Sequence, residues 1–277
     1  MKKVAFSDMI KGNRCFVIAE AGINHNGSFD EARRLIDSAS KTGVDAIKFQ
    51  TYITEQRTHT GSPIFDILKK CELPFEDFEK LKKHAEDQNM IFLSTPFDES
   101  SAAFLQQLEV LVYKLASFDV VNIPFLKSIA QKGIPTILST GMASEDEVQN
   151  AVNIFKEEQA DLALLHCVSS YPLKPENANL GAISTLKKKF DVPVGYSDHT
   201  NGIEVPLYSV AAGSIIVEKH YMIDEHSDCC DAPVSITEAQ TKLLVKKIRE
   251  LELIVGSGKL GMTEPQKGAE IFRRHEQ

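Results

Sequence analysis

Two lysines stand where an unpaired charge is costly. Lys48 lies within the run Ala46-Ile-Lys-Phe-Gln50 and Lys114 within Val112-Tyr-Lys-Leu-Ala-Ser117, both otherwise largely apolar and β-prone. An ammonium in such surroundings needs an anion. That anion is either a buried carboxylate, with Glu20 and Glu218 as candidates, or a ligand phosphate or carboxylate gripped by both lysines and a ring of hydroxyls. Ser94, Thr95, Ser117, Ser139 and Ser197 close neighbouring runs, which favours the ligand. His199 and His220 each follow a carboxylate-bearing strand end and could share a divalent metal, with Glu20 or Asp231 completing the shell. His166, inside Leu162-Ala-Leu-Leu-His-Cys167, reads as a core histidine.

The segment His226-Ser-Asp-Cys-Cys-Asp231 holds thiols, imidazole and carboxylates, but contiguous ligands do not readily wrap a tetrahedral ion and the spaced C-x2-C pattern is missing. No G-x-G-x-x-G follows the first strand, and G-x-x-x-x-G-K-[ST] and H-E-x-x-H are absent. Gly22-Ile-Asn-His-Asn-Gly27 by itself states only that the backbone turns there.

These groups must be positioned by the elements around them. Eight short β-prone runs, at residues 15–20, 45–50, 90–95, 111–116, 135–140, 162–167, 193–197 and 214–218, alternate with segments of helical spacing. Residues 28–42 place Ala32, Leu35, Ile36 and Ala39 on one face, and residues 144–157 do the same with Val148, Ala151, Val152 and Phe155. Ser28 with Glu31 and Ser144 with Glu147 have capping-box spacing, and Gly43 and Gly133 sit where helices stop. A helix over 236–255 closes the eighth unit.

Eight strand-helix units predict an α/β fold, a (β/α)8 TIM barrel forming one domain over residues 1–277. A β-hairpin at 3–12 would plug its N-terminal end, and 256–277 reads as a polar tail resembling the start of a linker. In such a barrel the chemistry sits at the C-terminal strand ends. There stand Glu20, Lys48 with Gln50, Ser94 with Thr95, Lys114 with Ser117, Ser139 with Thr140, His166 with Ser169 and Tyr171, Ser197 with Asp198 and His199, and Glu218 with Lys219 and His220. Neighbours on a strand face opposite ways, so only some of each set look inward.

The chain has 277 residues, 43% hydrophobic and 25% charged, with a formal net charge of -8. An acidic body repels nucleic acid and anionic membranes, so any anion site is local. No stretch of 18 residues is free of charge and no signal peptide is evident, which points to a cytoplasmic protein with five reduced cysteines.

Taken together and in order, Ile18-Ala-Glu-Ala-Gly-Ile-Asn-His-Asn-Gly27, Ile47-Lys-Phe-Gln-Thr51, Leu93-Ser-Thr-Pro-Phe97, Tyr113-Lys-Leu-Ala-Ser117, Leu138-Ser-Thr-Gly-Met142, Leu165-His-Cys167 with Tyr171-Pro172, Gly195-Tyr-Ser-Asp-His-Thr200 and Val217-Glu-Lys-His220 resemble the sialic acid synthase family. That family includes the N-acetylneuraminate, legionaminate and pseudaminate synthases. The resemblance spans nearly the whole chain, with one motif per strand end.

It implies a metal-dependent condensation of phosphoenolpyruvate with an open-chain N-acetylmannosamine-like aldose, giving a nine-carbon 3-deoxy-2-ulosonic acid and phosphate. By position, Lys48, Thr95, Lys114, Ser117, Ser139, Ser169 and Ser197 resemble the phosphoenolpyruvate cradle. His199 and His220 resemble the ligands of a Mn²⁺-type ion, with Mg²⁺ or Co²⁺ as alternatives. Glu20, Glu218 and His220 take catalytic roles, and Gln50, Tyr171 and Asp231 bind the sugar.

Two departures fall on the sugar side. The typical synthase runs past an Arg-Arg junction, resembled here by Phe272-Arg-Arg-His275, into a small antifreeze-like domain that reaches the active site across a homodimer. It also has a longer loop after the second strand carrying a sugar-contacting Asn, and residues 51–71 contain no Asn. Two alternatives follow: a different aldose, phosphorylated or not, as acceptor, or a barrel that needs a separate antifreeze-like domain as partner before it is active.

Overall fold

A computed structural model of the protein describes residues 14–274. Eight strands, β1 (Phe16–Gly22), β2 (Ala46–Thr51), β3 (Ile91–Pro96), β4 (Tyr113–Leu115), β5 (Thr136–Ser139), β6 (Leu162–Cys167), β7 (Val194–Asp198) and β8 (Ile216–His220), pair in chain order into a closed barrel. All are parallel, and β1 pairs with β8 to close the ring. The helices are α1 (Phe29–Ala39), α2 (Thr54–Arg57), α3 (Phe65–Cys71), α4 (Phe75–Asp87), α5 (Glu99–Gln107), α6 (Ile123–Gln131), α7 (Glu145–Glu157), α8 (Gly181–Phe190), α9 (Glu204–Ala211) and α10 (Glu238–Val255). The expected TIM barrel is therefore present, its strands within a few residues of their predicted positions. The hairpin expected at 3–12 lies outside the described residues.

The strand alternation sorts the core into two layers. Phe16, Ile18, Ala46, Leu93, Val112, Ile137, Ala163, Leu165 and Ile216 form an apolar plug inside the barrel. Their neighbours along the strands, including Val17, Ala19, Ile47, Phe49, Phe92, Tyr113, Leu138, Leu164 and Val217, pack outward beneath the helices. Each Val, Leu, Ile or Phe among them, taken out of water, contributes about 1.5–3 kcal/mol. Gly195 belongs to the inner layer because a Cβ there would stand 2.5 Å from the Ile216 carbonyl oxygen and 2.6 Å from Leu165 Cδ2.

Two residues above the plug, on the same inward parity, the composition turns polar: Glu20, Lys48, Thr95, Lys114, Ser139, Ser197 and Glu218. The opposite parity sends other strand-end polar groups away from the mouth. Lys219 turns out of the barrel and pairs with Asp198 at 2.7 Å, both buried. Ser94 meets the Thr51 hydroxyl at 2.7 Å, and His166 donates from Nε2 to the Ala178 carbonyl at 2.8 Å.

Caps set the helix starts. Ser144 and Glu147 form a reciprocal capping box on α7. Ser28 accepts from the Glu31 amide, but the Glu31 carboxylate goes to Arg34 at 2.7 Å, so only half of the predicted box forms. Helix α10 starts two residues later than its apolar pattern suggests, because Ile236 bridges Tyr221 and Thr237 caps the helix. Gly43 and Gly133 have φ of 84° and 66° at the predicted stops. Residues 256–274 are exposed and carry only short 3-10 turns.

Candidate active site

The C-terminal strand ends open onto a cavity of about 280 Å³. All fourteen predicted site residues line it: Glu20, Lys48, Gln50, Thr95, Lys114, Ser117, Ser139, Ser169, Tyr171, Ser197, His199, Glu218, His220 and Asp231. They come from β1 through β8 and the loops that follow, so residues 211 positions apart in the chain share one opening.

The lysines have carboxylate partners and still face the cavity. Lys48 Nζ lies 2.7 Å from Glu20 Oε2 and 3.7 Å from Glu218 Oε2, and donates to Thr95 Oγ1 at 3.1 Å. Lys114 Nζ donates to Ser139 Oγ at 2.8 Å and to the Leu115 carbonyl at 2.9 Å, and lies 3.7 Å from Glu218 Oε1. Internal carboxylates thus neutralise both lysines, and both lysines line the cavity. Burial favours the neutral form of every member, and the pairing decides which ones resist it. Burial pulls Lys48 down, but Glu20 and Glu218 more than reverse this and hold its ammonium above the usual range. Lys114, with more distant partners, is lowered by burial. Burial also opposes the Glu218 charge, yet Lys114, Lys48 and the Ser197 hydroxyl, which donates to Oε1 at 3.0 Å, hold it below the carboxylate range. Glu20 goes the other way: burial raises it in spite of Lys48. One carboxyl therefore keeps a proton more readily than its neighbour.

Beside the lysines the Ser117 and Ser169 hydroxyls pack against the Gly141 backbone. The Gly141 amide donates to Ser117 Oγ at 2.9 Å, and a Cβ on Gly141 would stand 2.4 Å from Ser169 Oγ and 2.9 Å from Ser117 Oγ. Only a residue without a side chain leaves those hydroxyls their space. The sequence reading passed over Gly141, whose signal was its place directly after the Ser139-Thr140 strand end.

The imidazoles face each other with ring centroids 5.5 Å apart, and Tyr171 stacks 3.9 Å from His199. His199 Nδ1 donates to the Val168 carbonyl at 2.9 Å, which leaves Nε2 with its lone pair; burial pushes this ring down to about 4, so it is neutral. His220 Nδ1 is buried without a hydrogen bond, 3.4 Å from Asp231 Oδ2. Burial pushes Asp231 up, but the adjacent His220 holds it below the usual range. Glu20, committed to Lys48, is the poorer candidate for a shared shell. Among the described residues no three His, Cys, Asp or Glu side chains gather closely enough to enclose an ion alone. A neutral imidazole, an unpartnered ring nitrogen and a nearby carboxylate do fit a divalent ion bound on one side, with remaining positions open to water or substrate.

The loop after β8 is held by the Gly22–Gly27 turn. Asn24 Nδ2 donates to the Tyr221 carbonyl at 2.8 Å and to Ser235 Oγ at 3.0 Å, while its Oδ1 accepts from the Asp231 amide at 2.9 Å. That turn therefore places Asp231 over the cavity. Cys230, next in sequence, lies with Sγ 3.6 Å from Cys71 Sγ.

The NeuB family model matches residues 35–260. The chain belongs to the NeuB family. It is 42% identical over 261 residues to an uncharacterized protein of Methanocaldococcus jannaschii, covering 93% of this chain and 77% of that one. It is 39% identical over 263 residues to the N,N'-diacetyllegionaminic acid synthase of Legionella pneumophila, covering 88% and 74%. The crystal structure of N-acetylneuraminic acid (sialic acid) synthetase from Leptospira borgpetersenii serovar Hardjo-bovis, in complex with citrate, superposes with a TM-score of 0.92 at 40% identity, covering 95% of this chain and 92% of that one. NeuB synthases generally depend on a metal ion. Among the described residues no helix is long and apolar enough to cross a membrane.

The segment between β2 and α4 contributes a residue the sequence reading passed over. It has no Asn, but Arg57, at the end of α2, lines the cavity with Phe97 and donates from Nη1 to Gln50 Oε1 at 3.0 Å. A charged residue in a loop at the C-terminal face of a barrel was its signal.

Proposed function

We propose that this NeuB barrel condenses phosphoenolpyruvate with the open-chain form of an N-acetylmannosamine-like aldose, giving a nine-carbon 3-deoxy-2-ulosonic acid and phosphate. The observation that carries this reading is the convergence, around one cavity, of two buried lysines, a ring of hydroxyls and two facing imidazoles. Lys48 and Lys114, with Thr95, Ser139, Ser117, Ser169 and Ser197, hold the phosphate and carboxylate of phosphoenolpyruvate. Charge-assisted hydrogen bonds in a water-poor site make that grip strong.

His199 and His220 hold the divalent ion, Mn²⁺ by preference and Mg²⁺ or Co²⁺ as alternatives, with Asp231 orienting His220. When bound, the ion supplies Lewis acidity toward the sugar aldehyde. Gln50, Tyr171 and Asp231 place the sugar. The enol ether C3 attacks the aldehyde carbon, its π pair forming the new bond. Glu20, whose carboxyl burial raises against the pull of Lys48, relays a proton to the aldehyde oxygen. The cation left at C2 takes up water, which Glu218 orients and deprotonates, and the C2–O bond to phosphate then breaks to leave the ketone. The sum is phosphoenolpyruvate, aldose and water in, ulosonic acid and phosphate out.

The test is phosphate release from phosphoenolpyruvate across a panel of aldoses with Mn²⁺ present. Release that depends on an aldose, with a product three carbons longer than the acceptor, supports the reading. Absence of release with every aldose refutes it. Release that appears only after a detached antifreeze-like domain is added would make the barrel a partner-dependent one.

A further inference from the structure

Two thiols from distant parts of the chain meet beside the cavity. Cys71 ends α3, in the connection after β2, and Cys230 lies in the loop after β8. They are 159 positions apart in the chain, yet their sulfurs stand 3.6 Å from each other. All five cysteines are free thiols.

The Gly22–Gly27 turn is the wedge that brings the two together. On one side it presses on the end of α3: a Cβ on Gly27, whose φ is 79°, would stand 2.1 Å from the Lys70 carbonyl oxygen and 3.5 Å from Cys71 Cα. On the other side it grips residues 228–231. Asn26 donates to the Asp228 carbonyl and accepts from the Cys230 thiol at 3.5 Å, while Asn24 holds the Asp231 amide at 2.9 Å. Glycine is required at 27 by both its left-handed backbone and that close approach.

The two sulfurs are placed unequally. Cys71 is buried in a small apolar cluster with Ile23, Tyr52 and Leu68, and the Tyr52 hydroxyl donates to the Leu68 carbonyl at 2.9 Å. Cys230 is exposed. Burial and the neighbouring Cys230 push the Cys71 thiol up to about 12, so the solvent-facing sulfur is the one that meets a dissolved oxidant. Joining the pair requires the sulfurs to close to about 2.0 Å, and the exposed loop is the side free to move. Asp231 follows Cys230 directly, with its carboxylate 3.4 Å from His220 Nδ1. A bond made at Cys230 therefore pulls on the residue beside a site imidazole, while Lys48 and Lys114 stand on strands it does not touch.

We propose that Cys71 and Cys230 are a redox modification site: a hydroperoxide converts them to a disulfide that ties the β8 loop to α3 and lowers turnover by shifting Asp231 relative to His220. With hydrogen peroxide, the Cys230 sulfur takes one peroxide oxygen, the O–O bond breaks, and a sulfenic acid and water form. The Cys71 sulfur then attacks the sulfenic sulfur at close range, the S–O bond breaks, and the hydroxyl leaves as a second water with the Cys71 proton. Two thiols and one peroxide give one disulfide and two waters, with two electrons passing from sulfur to oxygen. A small dithiol reverses the step by exchange. The effect on turnover rests on the condensation proposed above; formation of the disulfide does not.

The experiment treats the reduced protein with hydrogen peroxide, maps peptides by mass without reductant, and follows phosphate release and thermal unfolding in parallel. A Cys71–Cys230 linked peptide, lighter by two hydrogens than its parts, is expected. The unfolding midpoint should rise by on the order of 5 °C, because the bond closes a long loop. Turnover should fall at least about tenfold in kcat, with the KM for phosphoenolpyruvate within about threefold, and dithiothreitol should reverse every change. Cys230→Ser and Cys71→Ala should match the reduced protein in turnover and resist peroxide, whereas Cys229→Ser should stay sensitive. Absence of the linked peptide, a link through Cys229 instead, or a linked protein with unchanged turnover would each overturn the proposal. So would a peroxide loss retained by Cys230→Ser, which would trace it to Cys167, the thiol that lines the cavity. If the reduced protein releases no phosphate with any aldose, the condensation fails, and the linked peptide and the melt still decide whether the site exists.

Discussion

A Cβ placed on Gly141 would lie 2.4 Å from Ser169 Oγ and 2.9 Å from Ser117 Oγ, in space that those hydroxyls already fill. Gly141 has no left-handed backbone requirement, so an alanine there meets a problem of space alone. Gly141→Ala is expected to raise the KM for phosphoenolpyruvate at least about tenfold, with the unfolding midpoint shifted by no more than a few degrees. Steady-state kinetics beside a thermal melt checks both halves.

Lys219 and Asp198 provide the contrasting case, a buried ion pair that faces away from the cavity. Removing one partner leaves the other charge buried, so Lys219→Met should destabilise the barrel by about 3–5 kcal/mol. The folded fraction should retain the KM for phosphoenolpyruvate. Lys114→Met should do the opposite in function, cutting kcat/KM by at least about a thousandfold through loss of a donor to the phosphoenolpyruvate oxyanions. Denaturant titration and kinetics on both variants separate the two roles.

Asp119 gives a pH signature. Burial raises its carboxyl to about 6 from an ordinary value of 3.8. The folded state then binds more protons between those values, so stability falls as pH rises through that window and the loss persists above 6. Asp119→Asn removes the charge, and should raise stability by roughly 2–3 kcal/mol at pH 7.5 while giving no gain near pH 3.5. Unfolding curves at the two pH values decide; an equal gain at both would reject the mechanism.

Metal removal should abolish turnover and leave the barrel folded. The ion's proposed ligands sit at the mouth, and the apolar plug and helical layer do not depend on them. Chelation is expected to eliminate phosphate release, with the unfolding midpoint lowered by only a few degrees, and added Mn²⁺ should restore it. His220→Ala should be inactive with or without metal.

Much of this architecture was legible one residue at a time. β-branched runs separated by amphipathic segments announced eight units, and a charged lysine inside two of the runs marked the strands that carry the site. Parity did the rest: Glu20, Lys48, Lys114, Ser139 and Glu218 fall two residues after a plug residue, and Ser197 two after the inward-facing Gly195. The same count sends Ser94, His166, Asp198 and Lys219 outward.

What the chain alone determined, then, is which side chains share an inward face, because pleating is a local property of each strand. Closure of the ring decided which of them meet, since Lys48 on β2 reaches Glu218 on β8, and Glu20 comes beside His220, only when β1 pairs with both β2 and β8. Arg57, Gly141 and the hold of Asn24 on Asp231 belong wholly to the folded state. They lie in the connections that follow β2, β5 and β1, Arg57 at the end of the one-turn helix α2, where no strand periodicity fixes direction, and their placement follows from contacts with other elements.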